Sequence, residues 1–391
     1  MAMRRKGTTG EAGVGEGEEV TVGVSAERVA RVLRRMGSRG RYDGACDMDE
    51  LKLLAHIEKR GRKAGKVRAG AAGVRVVVGP GDDCAVVAMD GGGRGKTRLL
   101  LTTDQVIEGR HFLGPIVGPI VRRGEKGTKG TAADLVARKA VARSVSDIAA
   151  MGGAPAWSLA TAALPEDFPQ GLADYLFNRF HVWAERFGCP LVGGDLASTE
   201  GPAVFTLTVG GVADAERGAV LRSTAKVGDE VFVTGRIGGS FAAGGGGRHV
   251  TFVPRVKEGA ALVGALGRNL HAMMDVSDGL MLDAERVGRA SGVMVEIEGV
   301  RVPLHAERKG NVTAAVGDGE DYELLLTAKA GSLKEGRVPG CATKLTRIGV
   351  VKKVAGGQAE RGKAVGGARL MLEGGKVWKP RRGESGWAHG L

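Results

Sequence analysis

The sequence predicts a protein of two domains that mix helices and strands, the second of them α/β. Three observations lead there. The chain has 391 residues, 43% hydrophobic and 26% charged, enough for two cores at roughly 100–200 residues per domain. Strand-like apolar runs alternate with stretches of helical period from Val74 onward. A polar, turn-rich stretch, Asp214 to Gly228, breaks that alternation near the middle. The boundary therefore falls near 215–228, giving an extension over 1–47, a first domain over 48–217 and a second over 218–391.

Residues 1–47 mix Gly, Glu, Thr and Arg around one candidate helix, Ala26 to Met36, and read as a loosely ordered extension. In MDELKLLAHIEKR, from Met48 to Arg60, Leu51, Leu54 and Ile57 recur at helical spacing, so the ordered domain starts there. Strands follow at Val74 to Val78, Ala85 to Ala88 and Leu99 to Thr102. The Gly/Lys stretch from Gly114 to Gly130 has no period and reads as a loop. Leu135, Val141, Val145 and Ile148 place a helix over Thr131 to Ala150, which Gly152 and Gly153 close. Strands at Ser158 to Leu164 and Pro190 to Val192 flank a helix at Leu172 to Phe187, and Ala203 to Val212 is β-rich. In the second domain, strands at Glu230 to Thr234, Val293 to Ile297, Tyr322 to Thr327 and Leu345 to Val351 alternate with helices at Lys257 to Leu266 and Leu280 to Ala290.

Composition narrows the function classes. The net charge of +13 admits nucleic acid, a membrane surface or phosphorylated small molecules as partners. Much of the excess lies in Gly-rich stretches (Lys59 to Arg68, Arg122 to Lys129, Arg361 to Lys379) with almost no interleaved aromatics, which argues against nucleic acid. Cys46, Cys84, Cys189 and Cys341 are scattered singly, so neither a disulfide framework nor a zinc site is expected and a reducing compartment is. No run approaches the ~18 apolar residues of a membrane span, and the N-terminus lacks the apolar core of a signal peptide. A soluble, cytoplasmic protein with no membrane partner is the expectation.

The chemistry is carried by aspartates that end apolar runs beside Gly, Ser or Thr. They are Asp82 and Asp83 in GPGDDCAVV, Asp104 in LLLTTDQVIEG, Asp147 in SVSDIAAMGG, Asp195 in LVGGDLAS, and Asp275 and Asp278 in MDVSDGL. Any one of these is a plain turn or helix cap. Several with the same grammar suggest carboxylates gathered at strand and helix ends in one cleft, where hard oxygen ligands without His or Cys favour Mg²⁺. Phosphoryl transfer is the natural chemistry of such a site. A P-loop is not available to it: DGGGRGKT, Asp90 to Thr97, lacks the first Gly of that motif and precedes a strand, and Gly244 to Gly247 lacks the GxGxxG spacing.

Seven motifs in order, GDDCAVV, TTDQVIEGRHF, KAVARSVSDIAAMGG, LVGGDLAS, LRSTAKVGD, MDVSDGL and GEDYELLLT, resemble the thiamine-monophosphate kinases of the aminoimidazole-ribonucleotide-synthase-like superfamily, over about Met48 to Trp387. The resemblance implies a two-domain α+β fold whose N-terminal domains pair into a closed β-barrel, hence a homodimer with its sites in the clefts between domains. It implies ATP and thiamine monophosphate as substrates, thiamine diphosphate as product, and Mg²⁺ as cofactor. The family's metal ligands fall on Asp83, Thr103, Asp104, Asp147, Asp195, Asp275 and Asp278, with Thr102 alongside. Its ATP contacts fall on Gly194, Asp195, Arg222 and Ser277, and its thiamine-phosphate contacts on His111, Glu320 and Trp387. Asp147, Asp278 and Arg222 are expected to carry catalysis.

No general base is needed, since a phosphate acceptor with a second ionisation near pH ~6 is already largely an anion. What remains is to bring two anions together and align them. Three features depart from the family pattern: Arg110 where Val is usual, Ser144 where Asn is usual, and the 114–130 insertion. The competing readings are another ATP-using member of the superfamily acting on a different small phosphorylated substrate, a non-catalytic binding scaffold, and a basic nucleic-acid-binding protein. The selenophosphate-synthetase and hydrogenase-maturation branches carry functional cysteines, whereas this chain ends WAHGL.

Overall fold

The computed structural model describes residues 74–90, 96–118, 130–242, 246–354, 359–360, 363–364, 366–381 and 384–386. The 1–47 extension, the helix expected over 48–60, the middle of the 114–130 insertion and Trp387 lie outside the described residues.

The first half is built from β1 (Val74–Val78), β2 (Ala85–Asp90), β3 (Lys96–Ile107), β4 (Ile116–Val117), β5 (Thr131–Ala132), α1 (Ala133–Ala150), β6 (Ala154–Pro165), α2 (Gln170–Arg186), β7 (Leu191–Thr199) and β8 (Val204–Val212). Six strands form a sheet in the order β1-β2-β3-β8-β6-β7. It is antiparallel except where β6 and β7, joined through α2, run parallel. The short β4 and β5 pair at the two described ends of the insertion.

The second half contains β9 (Glu230–Thr234), α3 (Val256–Leu266), β10 (Leu270–Asp275), α4 (Leu280–Ser291), β11 (Met294–Glu298), α5 (Val312–Ala315), β12 (Leu324–Ala328), β13 (Gly336–Arg337), β14 (Lys344–Lys352), β15 (Ala359–Glu360), β16 (Lys363–Ala364) and β17 (Gly367–Met371). Its sheet runs β10-β12-β9-β14-β11-β17, with β13 on β14. The sequence reading anticipated neither β10 nor β17. Among the described residues no helix is long and apolar enough to cross a membrane.

Alternation along each strand of the first sheet decides which face is covered. Leu100, Val106, Ala160, Ala162, Phe205, Leu207 and Val209 point to one face and pack on Val136, Ala140, Val141, Val145 and Ile148 of α1 and Leu176 and Phe180 of α2. Fully burying a side chain of Phe180's size stabilises the fold by about 1.5–3 kcal/mol. Met151 caps the C-terminus of α1, and Gly152 takes φ +68; a Cβ on Gly153 would lie 2.3 Å from Leu100, so the Gly-Gly pair lets the helix close against β3. A further cluster joins Ala150 at the end of α1 to Val220, Phe232, Leu262 and Met273.

Several strands run further than the sequence suggested, and two of them, β3 and β7, bear on the site. β3 continues to Ile107, which keeps Asp104 in the strand on the covered face with Leu100, Thr102 and Val106. β7 continues to Thr199, so Asp195 is a mid-strand residue and not the end of a run. The reason lies in Gly193-Gly194, which reads as a turn. A Cβ on Gly194 would sit 1.8 Å from the Ala160 carbonyl oxygen, so glycine is required here by the close approach of β6.

Candidate active site

Asp83 lies in the turn between β1 and β2, Asp147 in the last turn of α1, and Asp275 at the end of β10. Their carboxylate oxygens lie within 4.8 Å of one another. Thr102 Oγ1 donates a hydrogen bond to Asp147 Oδ2, and Ser146 Oγ donates to Asp275 Oδ2 at 2.6 Å. Asp83 Oδ2 is buried and has no hydrogen-bond partner among the described residues.

Burial, then the charges of Asp104, Asp275 and Asp83, push the Asp147 carboxyl well above its usual range. Burial and Asp83 do the same to Asp275. Burial raises Asp83 against the pull of Arg222. Asp82 is pushed up to about 7 by burial and by Asp83, with Arg222 opposing. Crowded, desolvated carboxylates with an orphaned oxygen call for a cation, and an all-oxygen set suits a hard ion such as Mg²⁺.

Around this cluster the loop from Ser277 to Gly279 is held by one residue. The backbone N–H groups of Ser277, Asp278 and Gly279 all donate to Asp283 Oδ2, at 3.0, 3.1 and 3.2 Å. Arg286 bridges Asp283 Oδ1 at 2.7 Å and Asp278 Oδ2 at 2.5 Å. Arg222 donates to Asp83 Oδ1 at 2.5 Å, and its backbone N–H to Asp82 Oδ2 at 3.2 Å. Asp104 stands beside Arg143 at 3.8 Å.

Next to the carboxylates is a buried charge network. Lys139 of α1 is fully buried and donates to Glu320 Oε2, to the His111 carbonyl at 2.5 Å, and meets His249 Nδ1 at 2.9 Å. Burial works to raise Glu320, but Lys139, a hydrogen bond from His249 and Arg143 bring it down to about 2. Glu320 and Tyr322 both adopt positive φ, +53 and +51, backbone strain of the kind that clusters at functional sites. Their N–H groups donate to the Ser277 and Val276 carbonyls at 2.6 and 2.8 Å, which lays GEDY against MDVSDG. His111 is buried, its Nδ1 accepting from the Ile107 N–H at 2.9 Å.

Of the residues singled out in the sequence, Asp83, Thr102, Asp104, Asp147, Asp275, Asp278, Arg222 and Ser277 fall in or around this cleft, with His111 and Glu320 in the adjoining network. Thr103, Gly194 and Asp195 do not join them within one chain. Thr103 turns to the opposite face of the sheet, where its Oγ1 accepts from Thr208 Oγ1 at 3.1 Å. Gln105, Thr206, Thr161 and Asp195 form one row across β3, β8, β6 and β7, and Asp195 is exposed on that row. Three strand spacings, roughly 14 Å, separate β7 from β3. An open groove of about 680 Å³ borders Gly194 and Asp195, with Phe177, His181 and Val192 among its walls.

Lys139, Arg143, Tyr322, His249, Asp283 and Arg286 were not singled out. Lys139 and Arg143 sit inside KAVARSVSD two turns and one turn before Asp147 respectively, and that helical spacing was the one available signal.

Residues 81–213 match the family model described as AIR synthase related protein, N-terminal domain. The thiamine-monophosphate kinase of Rhodopirellula baltica is 32% identical over 330 residues, covering 80% of this chain and 94% of its own. That of Escherichia coli K12 is 34% identical over 280 residues, 64% of this chain and 76% of its own. Among solved structures, AaThiL complexed with AMPPCP and TMP is similar with a TM-score of 0.64 at 25% identity, covering 90% of this chain and 100% of that one.

Proposed function

Because the chain belongs to the thiamine-monophosphate kinase family, we propose that it transfers the γ-phosphoryl group of ATP to the phosphate of thiamine monophosphate, giving ADP and thiamine diphosphate. The observation that carries this reading is the convergence of Asp83, Asp147 and Asp275, with one carboxylate oxygen left unpartnered. These three, with Asp104 and Asp278 beside them, would hold Mg²⁺, which when bound offsets the charge on phosphate oxygens.

The chain's own residues supply alignment. Arg222, whose Nε has no hydrogen-bond acceptor, and the Ser277 loop held by Asp283 are the donors on the ATP side. An oxygen of the acceptor phosphate forms the new bond to the γ-phosphorus. The bond from that phosphorus to its bridging oxygen breaks, and the electron pair leaves on ADP. The acceptor is already ionised near neutral pH, so positioning and charge compensation suffice.

Gly194 and Asp195 enter the same reading through a second copy. Val192 and Leu196 of the edge strand β7 are 65% and 60% exposed, and such an uncovered, partly apolar edge is what a self-association surface requires. The groove beside Phe177 would take the adenosine end of ATP, and Asp195 would reach the carboxylates of the partner. The two domains divide at 217/218, since each main sheet draws its strands from one side of that point.

The direct test is incubation with ATP, Mg²⁺ and thiamine monophosphate, with free thiamine as the alternative acceptor and chromatographic detection of product. Thiamine diphosphate formed from the monophosphate supports the reading. Turnover of free thiamine alone, or ATP-independent retention on DNA with no turnover, overturns it.

A further inference from the structure

A guanidinium and a phenol near the carboxylates have donors that none of the described residues uses. Arg143 projects from α1 one turn before Asp147, and its side chain is only 13% exposed. Of its five N–H donors, one is engaged, Nη1 to the Gln105 carbonyl at 3.2 Å. Asp104 and Glu320 stand 3.8 and 3.9 Å from its nitrogens, outside hydrogen-bond reach. The Tyr322 hydroxyl is buried with no hydrogen-bond partner among the described residues. Its ring is fixed face to face on Phe252, centroids 3.8 Å apart and planes 14° apart, and Arg143 is the charge that acts on it most strongly.

Neither neighbouring carboxylate hydrogen-bonds the guanidinium, although both lie within ion-pair range of it. Glu320 is taken by Lys139, with His249 at 3.5 Å, and Asp104 belongs to the metal side of the cleft. Unused donors this deeply buried are costly unless an acceptor arrives. A planar fork matches an oxyanion with several oxygens, as in Arg–phosphate pairs, and the Tyr322 O–H, on the loop whose Glu320 stands 3.9 Å from Arg143, can add a further donor. The flank of Arg143 facing Glu320 is the acceptor side of the reading above, whereas Arg222 and Ser277 serve the ATP side.

We propose that Arg143 and the Tyr322 hydroxyl form the seat for the phosphate of the acceptor, and that this seat makes the enzyme choose a phosphorylated acceptor over its dephosphorylated counterpart. The inference rests on the kinase reading and fails separately from it, because wild-type turnover of thiamine monophosphate is measured first and its absence sinks that reading alone.

The test compares Arg143→Met, Arg143→Lys and Tyr322→Phe with the wild type. Steady-state kinetics is combined with calorimetric binding of thiamine monophosphate and of free thiamine. Losing a buried charge-assisted contact should raise the KM for thiamine monophosphate about 10- to 100-fold in Arg143→Met. Lysine should restore part of the loss, and Tyr322→Phe should cost less than Arg143→Met. The KM for ATP stays within about two-fold, and the ratio of monophosphate to thiamine affinity collapses toward one while thiamine binding itself holds. A rise confined to the KM for ATP assigns the seat to the donor and overturns the proposal. So does an equal fall in both acceptor affinities, the mark of a merely structural role, or no change in their ratio. Tyr322→Phe removes a single oxygen and carries the same ratio test should Arg143→Met fail to fold.

Discussion

Glu320 is a buried carboxylate held ionised by three basic groups, and that arrangement has a pH signature. Its pKa falls from 4.5 to about 2 on folding, burial opposing and Lys139, His249 and Arg143 prevailing. A depressed carboxyl contributes stability that is fully present above its unfolded value and is lost as pH falls through the folded one. The window is therefore about pH 4.5 down to 2, and the contribution is on the order of 3 kcal/mol. Urea unfolding of metal-free wild type across that window should lose stability more steeply than Glu320→Gln. At neutral pH the variant should be the weaker protein, because Lys139 is then buried without its counter-charge. Equal acid slopes would refute the assignment. The position of Glu320 was legible in GEDYELLLT; its partner was not. A lysine in a run of helical period reads as a solvated face, and only the packing of α1 between the first sheet and the 248–250 segment turns it inward.

At the scale of elements, the first turn of α4 organises the loop that carries Ser277 and Asp278. Asp283 gives one carboxylate oxygen to three successive N–H groups and the other to Arg286. Asp283→Ala would orphan three donors at once, a cost of about 2–4 kcal/mol. It should lower the melting temperature by several degrees and kcat by roughly 100-fold through misplacement of Ser277 and Asp278. Unaltered kcat in a folded Asp283→Ala protein would show that the loop needs no such brace. Sequence periodicity found α4 within one residue of its observed end, because its apolar stripe is one-sided. It missed β10 and β17 because LHAMMD and GARLM are short apolar runs without alternation, which no period distinguishes from buried helix. It misjudged β7 because a strand interior containing two glycines looks like a turn until the neighbouring carbonyl is seen.

For the whole molecule the decisive question is where Asp195 works. Its row of side chains faces away from α1, roughly 14 Å of sheet from β3, so no rotamer brings it to Asp83, Asp147 and Asp275 of its own chain. In a two-fold dimer the same patch serves both subunits, and each can complete the other's site. Asp147→Ala and Asp195→Ala should then each abolish turnover alone yet complement when the two chains are co-expressed and the mixed species allowed to form. One of the two sites in a mixed dimer lacks both defects. Random pairing makes half the dimers mixed, so about a quarter of wild-type activity should return. Size-exclusion chromatography with light scattering should give a dimer for every variant. No recovery from a confirmed mixed dimer would mean that Asp195 serves its own subunit or none, and would remove the second copy from the active site.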